Sequence, residues 1–220
     1  VKDQFLTIKD PAEGYYMERG SKFLSYAFPM HQEADVHDIM AAIRKEHPKA
    51  RHYCTAMRLH PDASLERFND DGEPSGSAGR PILGQLIKQN LTNVFIVVVR
   101  YFGGTKLGIP GLIEAYKTSA ANALEAATVI EGNVFTKVQV GLSYESFPHF
   151  LNYCKHQAIP VFEEAFTDSA TLTIGLRKST AHEVLTNALK EYSKMDFTDL
   201  SEYTAHLGFT VVFLDEDEIL

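Results

Sequence analysis

The run Val94-Phe-Ile-Val-Val-Val99 is the most apolar stretch of the chain and constrains its fold more than any other. Six β-branched and aromatic residues are too few for a buried helix, and they lack the polar alternation of a half-exposed strand. They predict a strand buried on both faces at the centre of a sheet. The chain then reads Arg100-Tyr-Phe-Gly-Gly-Thr-Lys-Leu-Gly-Ile-Pro-Gly-Leu112. This is a glycine-rich loop ending at Pro110, which suits the first turn of a helix. A helix is predicted over Gly111–Ala127, with Leu112, Tyr116, Ala120, Ala123 and Ala127 near one face. Small side chains along that stripe predict close packing of helix on sheet.

Strands are expected at Phe5–Ile8 and Lys22–Phe28, with turns around Pro11 and Gly20. Val36, Ile39, Met40 and Ile43 recur at helical spacing and predict an amphipathic helix over Ala34–Lys45. His52–Leu59 and Leu65–Phe68 read as strands joined by the His60-Pro-Asp-Ala turn. Pro81 suits the first turn of a helix whose apolar face is Ile82, Leu83, Leu86 and Ile87. Beyond a linker turn at Ile130–Asn133 the pattern alternates. Strands Val134–Leu142, Ile159–Phe166, Ala170–Leu176 and Tyr203–Phe213 are separated by helices Ser146–His156 and Thr180–Tyr192. That order, βαββαβ, is the ferredoxin-like one. The acidic tail Asp215–Glu218 is expected to be a frayed end. The fold class is therefore α+β, with two domains at residues 1–130 and 134–214.

The charge distribution supports that division. Residues 1–137 carry 16 Lys and Arg against 16 Asp and Glu, whereas residues 138–220 carry 5 against 13. The acidic second domain does not attract nucleic acid through bulk charge, though its face suits a basic protein partner. A phosphate-facing surface is expected on the first domain. No apolar run approaches membrane-spanning length, and the opening Val1-Lys-Asp-Gln-Phe-Leu lacks a signal-peptide layout. Cys54 and Cys154 lie far apart and read as core thiols of a reducing compartment, so a cytoplasmic location is expected.

Eight of the fourteen glycines fall between Gly72 and Gly111, interleaved with charge. Glycine at that density lets backbone come close to another segment or to a ligand. Gly103-Gly-Thr-Lys-Leu-Gly108 is not a Walker A loop, because Lys106 is followed by leucine rather than by serine or threonine. Free N–H groups at such a turn and at a helix start can still hold a phosphate, with a tight structural turn as the competing reading. Arg80, Arg100, Tyr101, Gly103, Gly104 and Lys106 are the candidate phosphate or nucleic-acid contacts; Tyr101 and Phe102 are drawn beside them as stacking faces, with a core position the favoured reading of Phe102. Asp70, Asp71, Gly72, Glu73, Ser75 and Gly79 are read as organising the neighbouring loop. Their carboxylates accept backbone N–H bonds or pair with Arg80 or Arg100. A charge-paired set of Asp71, Glu73 and Arg80 is expected. Asp70, Asp71 and Glu73 with His52 could be drawn as a metal or acid–base site, but adjacent side chains on an extended segment point opposite ways. Cys54 beside His52 reads as a core thiol rather than a nucleophile. No catalytic residue, metal or cofactor is assigned.

Taken together, Arg67-Phe-Asn-Asp-Asp-Gly-Glu-Pro-Ser-Gly-Ser-Ala-Gly-Arg-Pro-Ile-Leu83, Arg100-Tyr-Phe-Gly-Gly-Thr-Lys-Leu-Gly108 and Gly111-Leu-Ile-Glu-Ala-Tyr116 closely resemble the IMPACT/YigZ family over roughly residues 15–127. The resemblance implies a first domain with the left-handed βαβ fold of a small-subunit ribosomal protein and of elongation factor G domain IV. It implies a ferredoxin-like second domain like domain V of that factor. Both relatives touch RNA, so the function implied is a non-catalytic, translation-related accessory or regulatory role, with RNA or the ribosome bound through the first domain. The rival readings are an enzyme or small-molecule phosphate binder built on the acidic and glycine-rich loops, and a protein–protein adaptor. Two departures from the family pattern stand out: Ser77 replaces the usual threonine, and Ile109-Pro110 replaces the usual Thr-Gly.

Overall fold

The computed structural model describes residues 3–193 and 209–219. Its contacts divide the chain into two units, Gln4–Gly132 and Asn133–Leu220, the latter joined by Val1–Asp3. The fold is α+β. No helix among the described residues is long and apolar enough to cross a membrane.

After β1 (Gln4–Ile8), the first unit contains a sheet of β2 (Ala12–Glu18), β3 (Ser21–Pro29), β4 (His52–Leu59), β5 (Leu65–Asn69) and β6 (Val94–Tyr101). The strands run in the order β2-β3-β6-β4-β5, all neighbours antiparallel, so β6 is central. Helices α2 (Gly79–Lys88) and α3 (Gly108–Ala126) cover one face, and α1 (Val36–Glu46) covers the other. This explains the unbroken apolar run. Val94, Ile96 and Val98 enter the core shared with α2 and α3, while Phe95, Val97 and Val99 enter the core shared with α1. Each such side chain contributes about 1.5–3 kcal/mol on burial. The small-residue stripe of α3 does pack closely. A Cβ on Gly14 of β2 would lie 2.3 Å from the Ala123 backbone nitrogen.

Two local expectations for this unit change. Strand β2 has no counterpart in the sequence pattern, because Tyr15 and Met17 are exposed on an edge strand and give no buried stripe. Helix α3 begins at Gly108 rather than Gly111, with Pro110 still inside its first turn.

The second unit contains β7 (Val129–Leu142, which begins in the first unit), α4 (Phe147–His156), β8 (Val161–Phe166), β9 (Ala170–Arg177), α5 (Ala181–Ser193) and β10 (Thr210–Ile219). Its strands lie in the order β10-β7-β9-β8, antiparallel throughout, which is the ferredoxin-like arrangement. Val138, Val140, Leu172, Ile174, Phe150 and Leu185 form its core.

The linker turn expected at Ile130–Asn133 is instead continuous strand. Gly132 is there for proximity rather than for turning, since a Cβ would lie 2.2 Å from the Phe5 ring. The acidic tail is not a loose end, because Asp217, Glu218 and Ile219 continue the ladder opposite Thr136, Phe135 and Val134. A register shift between Phe213 and Asp217 precedes that pairing. The first residues of the strand expected from Tyr203 lie outside the described residues. Cys54 and Cys154 are both free and buried. Burial pushes both thiols upward, Cys154 to about 12, as befits core residues rather than nucleophiles.

Candidate functional site

The loop between β5 and α2 is held by its carboxylates. Asp70 accepts from the N–H groups of Gly76 at 2.8 Å, Ala78 at 3.0 Å and Gly79 at 2.8 Å. Helix α2 has no side-chain cap of its own. Asp70 therefore supplies from upstream the negative acceptor that a helix start favours. Asp71 continues where the β4–β5 ladder stops at Thr55 and Asn69. Its carboxylate accepts from the Tyr53 N–H at 2.7 Å, and its carbonyl accepts from His52 Nδ1 at 2.9 Å. These bonds, with Asn69 Oδ1 accepting from the Asp71 N–H at 2.8 Å, hold Asp71 at φ 41°, a left-handed conformation costly for a non-glycine residue. Gly72 follows at φ 85°. Gly79 is required by close approach, because a Cβ there would meet the Asn69 backbone at 2.8 Å. Ser75 is exposed.

Glu73 leaves this loop for the interior. Its carboxylate accepts from Arg100 Nη1 at 2.5 Å and from the Tyr116 hydroxyl at 2.8 Å, with the Glu73 and Arg100 side chains only 4% and 7% exposed. Burial, then the neighbouring Cys54 and Glu73, drives the Tyr116 phenol far above its ordinary range, so it stays a donor. The charge pair is thus Glu73–Arg100 and not the expected set with Arg80. Arg80 is exposed with its guanidinium 5.6 Å from the Phe68 ring centroid, and Asp71 spends its carboxylate on backbone.

Antiparallel pairing sets His52, at the start of β4, opposite Arg100, near the end of β6. There a groove of about 300 Å³ is lined by Lys49, Arg51, His52, Arg100, Tyr101 and Phe102. No carboxylate lines it. Lys49 and Arg51 are exposed and have no ion-pair partner among the described residues. Arg100 is the buried member of the lining, and its Nε has no hydrogen-bond partner among the described residues. The Tyr101 hydroxyl is bonded to His47 Nδ1 at 3.1 Å, and His47 Nε2 to the Tyr26 hydroxyl at 2.7 Å, which fixes that wall from behind. Phe102 is 56% exposed, which overturns the favoured core reading and leaves the exposed one, with the Arg100 guanidinium 5.6 Å from its ring centroid.

Of the residues assigned to phosphate contact from the sequence, Arg100 and Tyr101 line this groove. Arg80, Gly103, Gly104 and Lys106 do not. Arg100 is also not the open cation expected, since Glu73 already matches its charge. The Gly103 N–H is already given to Ser21 Oγ at 3.1 Å, and a Cβ on Gly103 would lie 1.9 Å from Gly20. The first glycine of the loop is therefore an interlock with the β2–β3 turn. Gly104, at φ 87° with open space around it, and Lys106 lie on the exposed part of the loop. Lys49 and Arg51 were missed. Their only signal was basic spacing before a strand, which acquires meaning once β4 is paired with β6. No metal-binding cluster of His, Cys, Asp and Glu occurs among the described residues.

A two-unit α+β chain with these two glycine-rich loops has known counterparts. Residues 19–124 match the family of the Impact N-terminal domain. The chain is 33% identical over 178 residues to an IMPACT family member of Haemophilus influenzae, covering 79% of this chain and 84% of that protein. It is 34% identical over 140 residues to IMPACT family member YvyE of Bacillus subtilis, covering 64% of each. It is 41% identical over 105 residues to IMPACT family member YigZ of Escherichia coli, covering 47% of this chain and 52% of that protein. The crystal structure of a hypothetical protein shares the fold, with a TM-score of 0.70 over 98% of this chain and all of that one at 24% identity. The chain belongs to the IMPACT family.

Proposed function

We propose that this protein is a non-catalytic, translation-associated accessory or regulatory protein that binds RNA, free or on the ribosome, through its first unit. The observation that carries this reading is the groove of Lys49, Arg51, His52, Arg100, Tyr101 and Phe102. Two uncompensated cations provide phosphate contacts, and a half-exposed phenylalanine beside them provides a face for an unpaired base. No carboxylate lines the groove, and Glu73 behind Arg100 is matched by that guanidinium, so little negative charge faces an incoming phosphate. The acidic excess of residues 138–220 keeps the second unit out of the contact. The translational setting rests on the resemblance of both domains to parts of ribosome-bound proteins, which is a fold-level argument.

Titration of the full chain with a fluorescent single-stranded RNA at two salt concentrations tests the reading. With about two phosphates neutralised, affinity falls about sevenfold between roughly 50 and 200 mM salt. Arg51→Ala lowers the affinity and flattens that dependence. Absence of binding at either salt removes the proposal.

A further inference from the structure

We infer that His52 reads the sugar of a ribonucleotide held in the groove, accepting a hydrogen bond from its 2′-hydroxyl and so separating RNA from DNA. The inference rests on the RNA-binding reading and names the group that recognises the ligand class. His52 Nδ1 lies 2.9 Å from the carbonyl oxygen of Asp71. A carbonyl only accepts, so in the neutral ring the proton resides on Nδ1 and Nε2 is left as an acceptor. That orientation is built rather than incidental. Asp71 holds φ 41° through its bonds to the Tyr53 N–H and to Asn69 Oδ1, and these aim its carbonyl at the imidazole. Nε2 has no partner among the described residues, on a ring that lines the groove.

Among the lining side chains, His52 Nε2 is the acceptor that carries no bond of its own. Lys49, Arg51 and Arg100 only donate, Phe102 has no polar atom, and the Tyr101 hydroxyl, the one other side-chain oxygen in the lining, is already bonded to His47. A ligand whose phosphate is taken by Lys49 and Arg51 then meets Nε2 as the acceptor left unpaired. The donor on a ribose that a deoxyribose lacks is the 2′-hydroxyl. At about 300 Å³ the groove is at the small end of ligand sites and has room for about one nucleotide, so a single sugar contact is read.

Three short probes of one sequence test this on the full chain: oligouridine RNA, its 2′-deoxy form and its 2′-O-methyl form, each followed by fluorescence anisotropy. The ribo form should bind about three- to tenfold more tightly than either of the others, the span expected of one hydrogen bond. His52→Asn keeps a donor at the position of Nδ1 for the Asp71 carbonyl and removes the acceptor at Nε2. It should bring the three affinities together while the thermal midpoint holds. Arg51→Ala should weaken all three probes and leave the ribo preference intact. Equal affinities in the unaltered protein overturn the sugar reading and leave RNA binding standing. So does a His52→Asn protein that keeps the ribo preference. Failure of every probe to bind overturns the RNA reading itself.

Discussion

Replacing Glu73 by glutamine should unsettle the whole first unit, although the change is nearly isosteric. Glu73 is the countercharge for Arg100, whose side chain is 7% exposed and whose Nε already lacks a partner among the described residues. Breaking a buried pair by removing one member leaves the other charge desolvated and costs about 3–5 kcal/mol. The glutamine oxygen can still accept from Tyr116, which now donates at 2.8 Å, so the lower end of that range is expected, about 3 kcal/mol. For a cooperative unit of this size the midpoint should fall on the order of 10 °C. The chain has no tryptophan, so circular dichroism or calorimetry is the suitable readout. Pairing Glu73→Leu with Arg100→Met should recover much of the loss, because apolar replacement of both partners removes the unpaired charge. A fall of less than about 2 °C in Glu73→Gln, or a double variant worse than both singles, would refute the claim that this ion pair anchors the loop.

Asp70→Ala removes the acceptor for three N–H groups, one in the loop and two at the start of α2, and should cost about 2–3 kcal/mol in urea melts, with Asp70→Asn milder. Gly103→Ala should destabilise by about 2 kcal/mol or more, because its Cβ would sit 1.9 Å from Gly20, and both turns must shift. Gly104→Ala, in open space at φ 87°, should cost only the left-handed strain of about 1–2 kcal/mol, and equal losses in the two would contradict the interlock. Burial, followed by Glu46, pushes the Tyr26 phenol up to about 12. A raised folded value stabilises fully below the ordinary tyrosine range and is lost as pH climbs, here between about pH 10 and pH 12, at up to about 1.4 kcal/mol per pH unit. Alkaline melts of Tyr26→Phe should show a shallower decline over that window than the unaltered protein.

Most of the architecture follows from local chemistry that the residues display. Val94–Val99 has no polar position to offer solvent, so it had to be central. The βαββαβ alternation after Val134 matched the second sheet for the same reason of periodicity. The failures have physical causes too. Strand β2 hides because an edge strand leaves Tyr15 and Met17 in water, and Glu131-Gly-Asn133 resembles a turn until Phe5 is found packed on Gly132. The loop carboxylates were recognisable as organisers from their place beside Asp71-Gly72. Their partners were not, because choosing Arg100 over Arg80 depends on which residue the fold buries. The groove was the least visible feature. It joins Lys49–His52 to Arg100–Phe102 through strand pairing, which no spacing along the chain encodes.

The groove as the RNA site is tested most directly by amide chemical-shift mapping of the full chain during titration with a short single-stranded RNA. Shifts should concentrate at Lys49, Arg51, His52, Tyr101 and Phe102, progress with RNA concentration and diminish in Arg51→Ala. Shifts centred instead on Arg80, on Lys106 or on the acidic second unit would contradict the account.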